Sequence, residues 1–198
     1  MVSVPSDRAL QTRAALLQAA LEVFAASGFA EANVTDVVGR AGASVGSLYH
    51  HFGGKADLYL ALFDEYQSRQ EARAAAAVRD ARTAGVPGEL GLFLAGTRGY
   101  LYGCWEDRDV ARLFLPGGGP PGFELVARRR FRAWVRRNGA LLGHDGGKHR
   151  LGEALTLVLT TVISEAGREV AVQSSERAAH QLAEDVIELI GRLALPDL

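Results

Sequence analysis

Apolar residues recur at intervals of three and four along nearly the whole chain, and the apolar–polar alternation of a half-buried strand is absent. The pattern predicts an all-α protein of about nine helices. The first is predicted from near Asp7 to about Ser27, with Leu16, Leu17, Ala20, Val23 and Phe24 on one stripe and Gly28 as its stop. Two short helices follow, hinged on Ala41-Gly42. A long fourth helix starts at Lys55, after Gly53-Gly54, and runs to about Arg82, where Gly85 and Pro87 close it. Five more are predicted at roughly 88–106, 107–115, 123–142, 148–173 and 175–195, with the loop Pro116-Gly-Gly-Gly-Pro-Pro-Gly122 between two of them. The eighth helix is apolar on nearly all sides between Ala154 and Ile163, so it needs cover on two faces.

The stretch from Thr35 to Lys55 carries the most chemistry. Gly42 supplies the positive φ of a tight turn between two helices. Ser44 stands where the next helix must start, and its oxygen can cap the free N–H groups there. Leu48 and Phe52, four residues apart, face a core and leave Gly46, Ser47, Tyr49 and His50 outward. A slim, hydroxylated outer face suits approach to a phosphate backbone, the arrangement of a helix-turn-helix.

From about Arg13 to Leu58 the chain resembles the DNA-binding domain of the tetracycline-repressor (TetR) family of one-component bacterial regulators. The resemblance rests on Ala19-Ala-Leu-Glu-Val-Phe-Ala-Ala-Ser-Gly-Phe29, Asp36-Val37, Ala41-Gly42, Ser44, Gly46, Leu48-Tyr-His-His-Phe52 and Lys55. Asn33, Val38 and Ala43 depart from the family's usual Thr, Ala and Val. Asn caps a helix as Thr does, whereas Val38 puts a larger group into the core. The resemblance implies that Val45 and Ser47 approach base edges and that Gly46 lets the backbone come close. It implies that Asn33, Thr35, Ser44, Tyr49, His51 and Lys55 hold phosphates, with His50 able to do either. Val45 offers only methyls, so thymine is its natural partner, and Ser47 can bond to any base. With no Arg, Asn or Gln on this helix, DNA shape is expected to add to the readout. The resemblance further implies a homodimer on palindromic double-stranded operator DNA, released by a small-molecule effector that shifts the fourth helix. Residues 1–54 would form the DNA-binding domain and 55–198 the effector-binding and dimerisation domain. In the family the last two helices make a four-helix dimer interface; Val158 and Val162 on the eighth and Ile187 and Ile190 on the ninth are expected there.

Composition sharpens this only in part. A chain of 198 residues with 48% hydrophobic content can bury a substantial core. The single cysteine, Cys104, allows no intrachain disulfide, and the N-terminus has no signal-peptide pattern, so a cytoplasmic protein with no membrane partner is expected. Net charge is −1, and the first 57 residues hold Arg8, Arg13, Arg40 and Lys55 against five carboxylates. The usual basic footprint of a nucleic-acid binder is missing. The chain has only two lysines, and one of them is Lys55.

The fifth helix carries Gly96, Gly99 and Gly103 on one face. Either a neighbouring helix or a ligand needs that space. An effector site there would use Thr97, Tyr100 and Cys104, with Arg98, Tyr102 and Trp105 on the adjoining face. No cofactor or metal is expected: His144, Asp145 and His149 lack a fourth ligand. Gly42-Ala-Ser-Val-Gly46 matches a hydrolase nucleophile elbow only by accident, because no strand precedes it. The run Arg128–Arg137 is expected to be a solvated, salt-bridged face with Phe131, Trp134 and Val135 inward. No catalytic constellation is evident. The rival reading is an α-helical ligand-binding protein or enzyme that keeps a helix-turn-helix head.

Overall fold

The computed structural model describes residues 7–115, 118–143 and 152–193, and every regular element among them is helical. In chain order these are α1 (Asp7–Glu31), α2 (Val34–Ala41), α3 (Val45–His51), α4 (Lys55–Thr83), α5 (Gly88–Glu106), α6 (Arg108–Ala111), α7 (Phe123–Leu141), α8 (Gly152–Ala171) and α9 (Glu176–Leu193).

The head forms because α1, α2 and α3 are each too small to bury an apolar face alone. Leu16, Ala20 and Phe24 of α1 meet Val37 and Val38 of α2, Leu48 of α3, and Phe52. By length and composition α1 could cross a membrane, but this apolar face is packed in the head core. Gly28 breaks α1 as expected, at φ 74° and ψ 167°, although helical bonding resumes briefly to Glu31. The core continues into the first turns of α4 through Leu58, Tyr59, Leu62 and Phe63. Tyr59 is the rivet. Edge-on rings of Phe24, Phe29, Phe114 and Phe123 surround it, and its hydroxyl donates to Leu113 O at 2.6 Å. α4 therefore belongs to the head at one end and to the rest of the molecule at the other.

Beyond the head, α4 and α5 lie closest together. A Cβ on Gly99 would fall 2.9 Å from both Ala77 Cβ and the Arg73 carbonyl oxygen, and one on Gly103 would strike the Gln70 amide. The glycine face therefore serves close helix packing at Gly99 and Gly103, whereas Gly96 also lines a cavity between α4 and α5. Asp107 fastens the far end by accepting from Arg69 Nε at 3.0 Å, Gln70 Nε2 at 3.2 Å and Arg73 Nη1 at 2.5 Å.

α8 and α9 pack on α5 and on each other. Ile187 and Ile190, expected at a dimer interface, are 4% and 1% exposed and lie inside the subunit. They face Leu101 and Val170, and Phe93 and Leu159, respectively. The apolar stripe of α9 is wide enough to serve the subunit's own core, and its outward apolar residues are Leu189 and Leu193.

One other element differs from expectation. The helix expected over 107–115 is one turn of α-helix followed by a 3-10 turn, Arg112–Phe114. Leu115 precedes a proline and is extended at φ −64° and ψ 153°, as the proline ring's clash with the preceding residue requires. α8 is described from Gly152, so the predicted start at 148, like His144, Asp145 and His149, lies outside the described residues. Ser175 does open α9, its Oγ accepting from Ala178 N at 3.3 Å.

Candidate nucleic-acid interface and ligand cavity

The turn between α2 and α3 is set by Gly42, at φ 61° and ψ 30°, with Ala43 N donating to Val38 O at 2.9 Å. Ser44 caps α3, its Oγ accepting from Ser47 N at 3.1 Å. That contact accounts for the hydroxyl without hydrolase chemistry. Leu48 and Phe52 are buried, which fixes the outward face of α3. Val45 is 42% and Tyr49 54% exposed, so neither is consumed by the head core. Gly46 and His50 are exposed, and Ser47 and His51 half-buried. A Cβ on Gly46 would meet nothing nearer than Ser44 Oγ at 3.9 Å. Nothing among the described residues demands a glycine there.

Asn33 sits at the N-cap of α2 but does not cap it: its Nδ2 donates to Glu31 O at 3.4 Å. The capping expectation for Asn33 is thus corrected, and among the described residues no side chain caps the first-turn N–H groups of α2. Thr35 is exposed beside them. These free donors sit at a helix N-terminus, which favours an anion. Lys55 Nζ donates to the carbonyls of Ala30 and Ala32, each at 3.0 Å, and lies 4.6 Å from the Phe29 ring centroid. Arg13 and Arg40 pair with Glu65 and Glu22. Sparse charge in the head is therefore matched by sparse free charge on its surface.

A cavity of about 1080 Å³ lies between α4, α5, α7 and α8. Of the residues expected around an effector, Thr97 and Tyr100 line it. Arg98, Tyr102, Cys104 and Trp105 do not. Arg98 and Tyr102 bind Glu184 of α9 and hold its carboxyl below the usual range. Trp105 lies under the Arg108 guanidinium, 4.5 Å away. Cys104 is buried against Tyr66 OH at 3.5 Å, and burial pushes its thiol up to about 11. The helix singled out by periodicity does wall this cavity, but through a different arc from the one expected.

Sequence reasoning missed the walls supplied by Gln67 and Glu71 of α4, Asn138 of α7, and Thr160 and Ser164 of α8. Phe131 and Trp134 were read as an inward stripe, and it is this cavity that they face. The salt-bridged face expected here is met only in part: Arg130 pairs with Asp64 at 2.5 Å and Arg137 with Glu71 at 2.7 Å, whereas Arg128, Arg129, Arg132 and Arg136 have no carboxylate partner among the described residues.

A capped helix-turn-helix head is thus continuous through one long helix with a cavity-bearing helical body. Residues 16–62 match the model of the bacterial regulatory proteins of the tetR family. The HTH-type transcriptional regulator CymR of Pseudomonas putida is 39% identical over 74 residues, 35% of this chain and 36% of that protein. The chain thus spans about a third of the length of this curated relative. A regulatory protein of the tetR family from Rhodococcus RHA1 superposes with a TM-score of 0.66 at 23% identity, covering 96% of this chain and 97% of that one. The TetR-family regulator PfmR from Thermus thermophilus does so with 0.68 at 18% identity, covering 96% and 97%. Residues 16–62 thus form a TetR-type DNA-binding domain, and the whole chain shares the fold of these solved structures.

Proposed function

We propose that the chain is a homodimeric, ligand-responsive regulator, most simply a repressor, that a small molecule releases from a palindromic operator. It acts on DNA in the cytoplasm and performs no catalysis of its own. Residues 1–54 serve as the DNA-binding unit and 55–198 as the effector and dimerisation unit, with α4 shared. The observation that carries this reading is α4 itself: Leu58 to Phe63 sit in the head core, and the same helix walls the cavity further on. A ligand that favours one placement of α4 shifts the spacing of two heads and hence their fit to half-sites one helical turn apart.

On the DNA side, Val45 and Ser47 meet base edges and Gly46 lets the duplex approach. Asn33, Thr35, Ser44, Tyr49, His51 and Lys55 hold phosphates, and His50 lies within reach of either. Leu157, Val158 and Val162 of α8, with Leu189 and Leu193 of α9, form an exposed apolar face that suits a two-fold contact.

Fluorescence anisotropy with the DNA upstream of the chain's own gene tests the reading. Specific, saturable binding at a stoichiometry of one dimer per site is expected. Absence of binding to that DNA and to neighbouring intergenic fragments would favour the rival, an α-helical ligand-binding protein or enzyme that keeps the head.

A further inference from the structure

The cavity's charge distribution selects a class of ligand. Inside, the polar groups satisfy one another. Trp134 Nε1 donates to Gln67 Oε1 at 3.2 Å, Asn138 Nδ2 to Thr160 Oγ1 at 2.9 Å, and Thr97 Oγ1 to Phe93 O at 2.9 Å. The remaining wall is aromatic and aliphatic, with Phe63, Phe93, Phe131 and Ile163 among its members. The charged members of the lining are six arginines, Arg79, Arg82, Arg128, Arg130, Arg137 and Arg168, against two carboxylates, Glu71 and Glu124; all but Arg130 and Glu71 are exposed and so mark the cavity's edge. This positive edge belongs to a chain whose net charge is −1. Arg79, Arg82 and Arg128 have no carboxylate partner among the described residues.

Glu71 is the weak point of the edge. Its Oε1 is buried and no donor meets it in hydrogen-bond geometry, although Arg137 Nη1 is 2.7 Å away and Arg130 Nη1 4.0 Å. The Arg137 side chain is about half exposed, so an anion in solvent can reach it. These contacts are also straps, because α4 and α7 meet across the cavity through long side chains: Asp64 with Arg130, Gln67 with Trp134, and Glu71 with Arg137. An anion reaching the edge offers Arg137 a bidentate partner in place of a poorly aligned one. Glu71 would then keep Arg130.

We propose that the cavity takes an amphipathic organic anion, an apolar body ending in a carboxylate or sulfonate, whose head group takes Arg137 from Glu71. This rests on reading the cavity as the effector site. The exchange loosens one strap between α7 and α4, the helix whose first turns lie in the head core. A cationic amphiphile of the same size meets an edge of its own sign, and a neutral one gains only the apolar walls.

Isothermal titration of the full chain with decanoate, 1-decanol and decyltrimethylammonium, each below its micelle concentration, holds the tail constant and varies the charge. Decanoate is expected to bind about tenfold or more tighter than the alcohol, the size of one charge-assisted hydrogen bond, and the cation weakest. Arg137→Gln is expected to bring decanoate down to the alcohol while leaving the alcohol unchanged, which also reports an intact cavity. Glu71→Gln removes the competitor and is expected to tighten decanoate, a gain that a merely structural role would not produce. Preference for the cation, equal affinities, no binding by any probe, or an Arg137→Gln protein with unaltered decanoate affinity would overturn the assignment. Anisotropy on upstream DNA with the ligand-free protein is read separately. If that binding fails while the anion preference holds, the regulatory reading falls and the ligand class stands.

Discussion

Two of the three Lys55 N–H groups are spent on the carbonyls of Ala30 and Ala32, so one remains for a phosphate. Lys55→Ala is expected to weaken binding to operator and non-operator DNA together and to reduce the salt slope of log K by about 0.9. It should also lower the melting temperature of the head, because two carbonyls at the end of α1 lose their donor. A salt series by anisotropy and a circular-dichroism melt read the two effects, and an unchanged slope would remove Lys55 from the phosphate contacts. Gly99 gives the opposite kind of residue effect. Leucine there meets Ala77 and the Arg73 carbonyl with no room to turn. Gly99→Leu is expected to destabilise by about 1–3 kcal/mol or more, visible as a lower denaturant midpoint, with ligand affinity retained in the folded fraction. Loss of ligand binding at full stability would return Gly99 to the cavity wall.

At the scale of elements, α8 divides its apolar surface between two environments. Leu159 and Ile163 lie in the subunit core, whereas Val158 is 57% exposed and Val162 lies beside it on the outward face. Val158→Asp is expected to leave helix content unchanged and give monomers by light scattering, with loss of operator affinity. Ile187→Asp buries an unpaired carboxylate beside Leu101 and Val170 and is expected to unfold the chain instead. A Val158→Asp protein that remains dimeric would move the interface elsewhere. The same two helices show why periodicity could not choose between these residues: it reports that a position is apolar, and both a core and an interface are apolar.

The molecule as a whole carries several buried protons. Burial pushes the Cys104 thiol from its ordinary 9.0 to about 11 and the Tyr59 phenol from 10.0 to about 12, and raises Tyr66 and Tyr100 as well. The folded chain keeps these protons at pH values where the unfolded chain has begun to release them. Their contribution to stability is therefore complete below about pH 9 and declines as pH rises toward 11–12. Thermal melts are expected to show a melting temperature that is lower near pH 10.5 than near pH 8. A flat profile across that range would mean these groups are hydrated in solution. Cys104 should likewise resist thiol reagents until the chain unfolds, since it is both buried and protonated.

The sequence by itself determined what is local or repeats along one helix. The all-α class, the span of α4, the αL turn at Gly42 and the Ser44 cap each follow from a few neighbouring residues whose conformational preferences agree. So does the inward stripe of Phe131 and Trp134. Only the tertiary structure decided what each stripe faces. It placed Gly99 and Gly103 against α4, turned Ile187 and Ile190 inward, drew Arg98 and Tyr102 to Glu184, and gave Lys55 two carbonyls where α1 gives way to α2. It also left a space between α4 and α7 that neither helix announces alone. The physical reason is that side-chain pattern fixes a helix's apolar arc, whereas the partner of that arc depends on how several helices share one volume.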